Sequence, residues 1–158
     1  MNLSRRIFLT GFSGLTLCSI SSMARARVTP WQSVGPFYPQ KLPVDSDADL
    51  TFVDGKDGQA TGQFTRLSGR VTDQSGAPIK SARVEIWQCD AFGAYHHPRD
   101  GGGLDPFFQG YGQTTTDDDG NYRFKTIKPV SYPGRAPHIH MKVIDGLQEL
   151  VTQIYIQG

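Results

Sequence analysis

The sequence predicts an all-β fold, an antiparallel β-sandwich that forms a single domain with long loops. Short runs of β-branched and aromatic residues recur from residue 67 onward, and Gly- and Asp-rich turn residues separate them. No segment shows sustained helical periodicity. Several short strands at this spacing are typical of a sandwich.

The predicted strands cover residues 67–71, 83–88, 113–116, 122–127, 138–144 and 150–156. The Asp-Asp-Gly sequence at 118–120 is a strong turn signal, and it predicts a hairpin between the third and fourth strands. The Asp-Gly pair at 145–146 likewise predicts that the last two strands pair with each other.

Two long segments lie outside these strands. Residues 27–66 are rich in Pro, Gly and Asp and predict a loop-rich N-terminal arm that precedes the sandwich core at 67–158. Within the arm, the Gly-Pro-Phe-Tyr-Pro sequence at 35–39 is interpreted as a packing segment laid over the sandwich. The other segment, residues 90–111, is a long loop inside a compact domain, and such loops are usually functional.

Residues 1–26 predict a twin-arginine signal peptide. Arg5 and Arg6 precede a modestly apolar run, and Ala24-Arg25-Ala26 supplies a small-x-small cleavage site. The apolar run is short and interrupted by glycines, which disfavours the alternative of a retained membrane anchor. We therefore expect a periplasmic protein with no stable membrane association after cleavage.

The mature chain is close to neutral. The full sequence has 16 basic and 15 acidic residues, and removing the signal takes away three arginines, which leaves a net charge of about −2. This charge argues against a nucleic-acid-binding surface. Cys18 leaves with the signal, so Cys89 is the only cysteine remaining, and an intramolecular disulfide is excluded.

The strand at 138–144 carries two histidines with strand spacing. Residues i and i+2 share a face of a β-strand, so His138 and His140 point to one side, while Ile139, Met141 and Val143 point to the other. Two imidazoles on one rigid face can form half of a metal site. The alternative is a solvated strand face.

Other donors could complete such a site. Tyr132 lies shortly before the histidine strand, and Tyr95, His96 and His97 lie together in the long loop. A four-histidine site remains open, but adjacent side chains diverge, so one group from 95–97 together with Tyr132 is sterically easier. If phenols bind the metal they must lose their protons, which favours ferric iron over zinc or copper. The alternative for both tyrosines is ordinary hydrogen bonding in the core or a loop.

A series of motifs in fixed order resembles the intradiol ring-cleavage dioxygenases, and most closely their protocatechuate 3,4-dioxygenase branch. The motifs are residues 69–78, 84–88, Tyr95, 116–124, 126–129, Tyr132-Pro133 and 138–140, so that the resemblance spans about residues 67–156. The segment 35–38 also resembles the upstream segment of that family.

The resemblance implies a non-haem Fe(III) cofactor held by two tyrosinates and two histidines. Matched motif to motif, the ligands are Tyr95, Tyr132, His138 and His140, with His96 and His97 outside the coordination sphere. The implied partners are a catechol-type diol and O2, and the implied product is a muconate-type diacid.

Three residues have implied catalytic roles. Tyr132 leaves the metal with a substrate proton when the diol binds. Arg135, always charged, stabilises negative charge that develops on the substrate. Gln153 matches a family glutamine that forms hydrogen bonds near the reacting ring.

The sequence departs from the family pattern in three places. Only Pro133 and Gly134 separate Tyr132 from Arg135, where ring-cleaving members carry a longer, often tryptophan-containing insertion that helps to wall the substrate pocket. The N-terminal helical segment of catechol 1,2-dioxygenases is missing, and family members continue beyond Gly158.

Two main hypotheses follow. The first is a periplasmic Fe(III) intradiol dioxygenase. The second is a non-enzymatic, prealbumin-like β-sandwich binding module, whose turn and strand signals are similar. A module of that kind has no need of two tyrosines and two histidines in this arrangement, so we favour the enzyme. A third hypothesis keeps the metal without the chemistry.

Overall fold

The computed structural model describes residues 27–156, which form six β-strands in two antiparallel sheets. The strands are β1 (Phe64–Arg70), β2 (Arg83–Trp87), β3 (Tyr111–Thr115), β4 (Asn121–Ile127), β5 (His138–Asp145) and β6 (Gln148–Tyr155). The predicted all-β antiparallel sandwich is confirmed. Within this range no helix is long and apolar enough to cross a bilayer. The predicted signal peptide at 1–26 lies outside the described residues.

The larger sheet has the strand order β3-β2-β5-β6, and the smaller sheet pairs β1 with β4. β5 and β6 form the hairpin predicted from the Asp-Gly pair, with Asp145 opposite Gln148 across the turn. β1 begins at Phe64, inside the segment predicted as loop-rich arm.

The hairpin predicted between the third and fourth strands is wrong. The chain does reverse at residues 117–120, where Gly120 N–H donates to the Asp117 carbonyl (2.9 Å) and Asn121 N–H donates to the Asp117 carboxylate (2.8 Å). However, β3 pairs with β2 and β4 pairs with β1. The turn therefore connects the two sheets and does not join neighbouring strands.

The main core lies between the sheets and explains the alternation along β5. Ile139 and Met141 point into it together with Val84 and Ile86 of β2, which pack against Phe124 and Ile127 of β4. Burial of such apolar side chains is the main stabilising term, at about 25 cal/mol per Å² of apolar surface.

The opposite face of the larger sheet carries a second cluster around Trp87 and Val151, and the N-terminal arm covers it. Gln32 N–H donates to the Val151 carbonyl (2.8 Å), which places the arm alongside β6. Phe37 and Tyr38 pack on the cluster, so the predicted packing role of residues 35–39 is confirmed.

Candidate metal centre

The two histidines of β5 lie on the arm-covered face, as the strand spacing predicts. Their Nε2 atoms are 3.2 Å apart, and both rings are about 98% buried or more. The register places Trp87 of β2 on one side of His140 and Gln153 of β6 on the other. The Trp87 indole stacks on the His140 imidazole at 4.9 Å with an interplanar angle of 8°. Packing on a rigid sheet thus fixes both imidazoles.

A hydrogen bond determines which ring nitrogen of His138 carries the free lone pair. The His138 Nδ1 lies 2.7 Å from the Ala136 carbonyl oxygen, and a carbonyl can only accept, so Nδ1 carries the proton. The lone pair is therefore on Nε2. Burial, followed by the nearby His138 and Arg135, lowers the pKa of His140 to about 3, so this ring is neutral at physiological pH.

Tyr95 reaches the histidines from the long loop. Its hydroxyl lies 3.3 Å from His138 Nε2, and its side chain is 2% exposed. Burial, and secondly the neighbouring Tyr132 phenol, raises the pKa of Tyr95 well above its usual value. Without a bound metal cation this phenol stays protonated, even with Arg135 in the vicinity.

Two carboxylates hold the long loop that carries Tyr95, those of the buried Asp90 and the half-buried Asp100. The Asp90 carboxylate is fully buried and accepts hydrogen bonds from the backbone N–H groups of Phe92 (2.9 Å), Ala94 (3.0 Å) and Asp105 (2.9 Å). The Tyr95 N–H itself donates to the Asp100 carboxylate (3.0 Å). The loop is thus fixed in place by side chain–backbone bonds of the kind that Asp favours.

Tyr132 and Arg135 are held by a two-residue turn. Arg135 N–H donates to the Tyr132 carbonyl (2.9 Å), Tyr132 N–H donates back (3.3 Å), and Gly134 has φ of +80°. Pro followed by a Gly at positive φ is the sequence that a type II turn requires. The Tyr132 ring centroid lies 5.8 Å from that of Tyr95 and 5.6 Å from that of His138.

Arg135 and Gln153 meet beside the histidines. The guanidinium Nη2 donates to Gln153 Oε1 (2.5 Å) and lies 3.4 Å from His138 Nε2. Arg135 and Gln153 therefore lie at the edge of the cluster formed by Tyr95, Tyr132, His138 and His140. The third predicted catalytic residue, Tyr132, is a member of that cluster.

His96 and His97 lie apart from this cluster. The His97 Nδ1 accepts the Arg99 N–H (3.2 Å), and its ring contacts Phe37. Both histidines line a cavity of about 230 Å³ that Tyr95 also lines, but whose lining contains none of Tyr132, His138 and His140. The His96 ring packs edge-on against Phe108 at 6.1 Å. The four-histidine arrangement therefore does not form.

Sequence reasoning missed that the segment 35–38 contacts the cluster directly. The Phe37 ring stacks on Tyr95 at 4.5 Å and 17°, and the Tyr38 hydroxyl donates to the fully buried Glu85 carboxylate (2.8 Å). At Gly35, a Cβ atom would lie 3.2 Å from Cε1 of His140. The two aromatics between prolines were a signal for packing, but nothing in the sequence indicates against what they pack.

The donor groups of the cluster fit a cation. The Tyr95 hydroxyl, His140 Nε2 and Arg135 Nη2 all lie within 3.4 Å of the single lone pair on His138 Nε2, which can accept only one hydrogen bond well. Across residues 27–156, no group of three or more His, Cys, Asp or Glu could hold a metal. A metal at this site would therefore need phenolate ligands beside the two imidazoles, a mixture that suits ferric iron.

Comparison with known proteins identifies the family. A family model described as "Dioxygenase" matches residues 34–158, which is most of the chain. The chain belongs to the intradiol ring-cleavage dioxygenase family. The protocatechuate 3,4-dioxygenase beta chain of Burkholderia cepacia is 42% identical over 123 residues, a match that covers 71% of this chain and 52% of that relative. The catechol 1,2-dioxygenase of Candida albicans is 37% identical over 108 residues, covering 56% and 35%.

Solved intradiol dioxygenase structures share the fold. An intradiol ring-cleavage dioxygenase from Tetranychus urticae superposes with a TM-score of 0.68 at 26% identity, over 84% of this chain and 66% of that one. The dioxygenase domain of a dioxygenase carbohydrate-binding protein fusion from Streptomyces sp. SirexAA-E gives 0.61 at 30% identity, over 80% and 73%. The chain spans about half the length of the Burkholderia relative.

Proposed function

We propose that this protein is a non-haem Fe(III) intradiol dioxygenase that cleaves a catechol-type diol between its hydroxyl-bearing carbons. The observation that carries the proposal is the convergence of the Tyr95 hydroxyl and two imidazole Nε2 atoms within 3.3 Å, with the Tyr132 ring beside them. Relatives named catechol, hydroxyquinol and protocatechuate dioxygenases support the substrate class. The non-enzymatic module remains the alternative, and family membership weighs against it.

Tyr95, Tyr132, His138 and His140 would hold the iron. When bound, the iron would make the ring of a coordinated catechol reactive toward O2, and both oxygen atoms would enter the muconate-type diacid. The buried Trp87 ring stacks on His140 and the half-buried Phe37 ring stacks on Tyr95, and the two rings keep these donors in place.

Tyr132 has the role of proton acceptor. Its phenol sits on the exposed Pro133-Gly134 turn and is half-buried, unlike the fully packed Tyr95. A side chain on such a turn can move without disturbing the sheet. With iron bound, Tyr132 would be a tyrosinate, so its Oη would be able to take a proton from a catechol hydroxyl as the diol enters. Arg135, fixed by Gln153, supplies a permanent positive charge next to the diol oxygens.

The proposed location is the periplasm, reached by the twin-arginine route through residues 1–26. That route exports folded proteins, so the iron can be inserted in the cytoplasm before export. Changing both Arg5 and Arg6 to Lys should move the protein from the periplasmic to the cytoplasmic fraction. An unchanged distribution between the fractions would refute this route.

Optical absorption tests the metal site. Tyrosinate bound to Fe(III) should give a visible charge-transfer band, which anaerobic catechol should shift, and air should then yield a muconate-type product. Tyr132→Phe should alter the band while the far-UV circular dichroism stays unchanged. A protein that stays colourless after ferric reconstitution would favour the non-enzymatic module.

A further inference from the structure

The outer rim of the proposed iron site is apolar at β6. The Tyr155 ring lies 6.0 Å from the His138 ring and is 52% exposed. Its hydroxyl, which has one proton to donate, lies 3.1 Å from Gln32 Oε1 and 3.3 Å from Gln153 Oε1, and bonding to either one holds the ring at the rim. An aromatic face thus stands next to the position where the diol must enter.

Two more exposed apolar residues are sequence neighbours of glycines that pack on the cluster. Val34 is 38% exposed and precedes Gly35, which packs against the His140 ring. Phe92 is 68% exposed and precedes Gly93, where a Cβ would lie 3.3 Å from the Cβ of Tyr132. The backbone next to the cluster therefore carries exposed apolar residues in the arm and in the long loop, in addition to Tyr155 of β6.

Arg135 is the only cationic side chain of residues 27–156 that forms a hydrogen bond with the cluster or with Gln153. Its Nη2 donates to the Gln153 amide oxygen and is directed at His138, so this cation faces the diol end of the site. The turn between Tyr132 and Arg135 adds no side chain except the proline ring. A carboxylate on the outer end of the substrate, over the Tyr155 ring, would lose hydration against an aromatic face.

We infer that the preferred substrates are catechols with a bulky, uncharged apolar substituent, and that Tyr155 is a specificity-determining residue. This inference rests on the proposed function. The diol enters toward the histidines, and the substituent lies over the Tyr155 ring, where an aromatic substituent stacks favourably.

The expected preference is roughly tenfold in kcat/KM. Tenfold corresponds to about 1.4 kcal/mol. At about 25 cal/mol per Å², this requires burial of roughly 55 Å² of apolar surface, which is a part of one aromatic ring. We expect the higher kcat/KM to come mainly from a lower KM, because the substituent is remote from the reacting carbons.

The test compares three diols on the iron-loaded protein: catechol, 4-phenylcatechol and 3,4-dihydroxybenzoate. 4-Phenylcatechol should have a kcat/KM roughly tenfold above that of catechol. Its kcat/KM should also exceed that of 3,4-dihydroxybenzoate, whose carboxylate offers the Tyr155 ring no apolar surface. Equal values, or a preference for the carboxylated diol, would overturn the inference and leave the proposed function intact. Cleavage of none of the three would overturn the proposed function and the inference with it.

Substitutions of Tyr155 test whether this side chain causes the preference for 4-phenylcatechol. Tyr155→Ala should abolish the advantage of 4-phenylcatechol, whereas Tyr155→Phe, which keeps the ring, should retain it. Leu147→Ala is the matched control, because Leu147 is also exposed but lies in the turn between β5 and β6. If Tyr155→Ala retained the full advantage, the assignment of Tyr155 would be wrong.

Discussion

Replacing Tyr38 by Phe should destabilise the protein although the change removes one oxygen atom. The Tyr38 hydroxyl donates to Glu85 Oε2 (2.8 Å), and Glu85 is fully buried. A hydrogen bond to a charged group contributes about 1.5–3 kcal/mol, and the variant leaves part of a buried carboxylate without its donor. The Arg83 guanidinium, 2.9 Å from the other carboxylate oxygen, remains. We therefore expect a loss of about 2 kcal/mol.

Urea unfolding of the metal-free protein measures this loss. The midpoint should fall while the slope of the free energy against urea concentration stays the same. Tyr155→Phe is the control, because its hydroxyl contacts lie at the exposed surface and should contribute less than about 0.5 kcal/mol. Equal losses in the two variants would show that burial of Glu85 does not set the magnitude.

A double-mutant cycle with Glu85→Gln sharpens the test. If the two side chains act through their shared hydrogen bond, the double variant should lose less than the sum of the single losses, by roughly 1 kcal/mol or more. The same Tyr38 variant, loaded with iron, should also show a shifted visible band, because the segment 35–38 packs on Tyr95 and His140. A strictly additive cycle and an unchanged band would refute the anchoring role of Tyr38.

Three further changes test the packing around the site. Ile139→Ala, between the sheets, should cost about 3 kcal/mol in urea unfolding; a loss below about 1 kcal/mol would contradict the core assignment. Gly35→Ala should weaken iron retention against a chelator at least several-fold, because the new Cβ would meet His140, whereas Gly55→Ala has almost the same φ and no neighbour within 4 Å and should retain iron. Cys89, whose pKa burial raises to about 11, should resist alkylation at pH 8 in the native protein and react after unfolding, and rapid native labelling would show that it is accessible.

The parts of the fold that could be predicted from sequence are those set by local periodicity. Alternation along β5 placed Ile139 and Met141 in the core and both histidines on the other face, and the Asp-Gly pair gave the β5–β6 hairpin. The turn at 117–120 also forms as its residues require. Its strands nevertheless pair elsewhere, because residues far apart in sequence, such as Ile86 and Phe124, decide which sheet each strand joins.

The candidate site was likewise predictable only in the parts that local sequence patterns determine. The His-x-His spacing alone indicated half a site. Steric reasoning favoured Tyr132 with one group from 95–97, and the family resemblance pointed to Tyr95 over His96 and His97. The contact between Gly35 and His140 could not be predicted, because it joins the arm to a strand about a hundred residues away. The hydrogen bond between Tyr38 and Glu85 could not be predicted either, since a lone Glu in a strand is normally expected to be exposed to solvent.

The Tyr132-Pro133-Gly134-Arg135 turn gives the four proposed ligands unequal mechanical stiffness. His138 and His140 lie on a central strand of a four-stranded sheet, and the carboxylates of Asp90 and Asp100 hold the backbone at Tyr95. Tyr132 is attached through a hairpin of two hydrogen bonds with an exposed tip. Thermal displacement should therefore be largest at Tyr132, and a metal held by these four residues would lose this donor first.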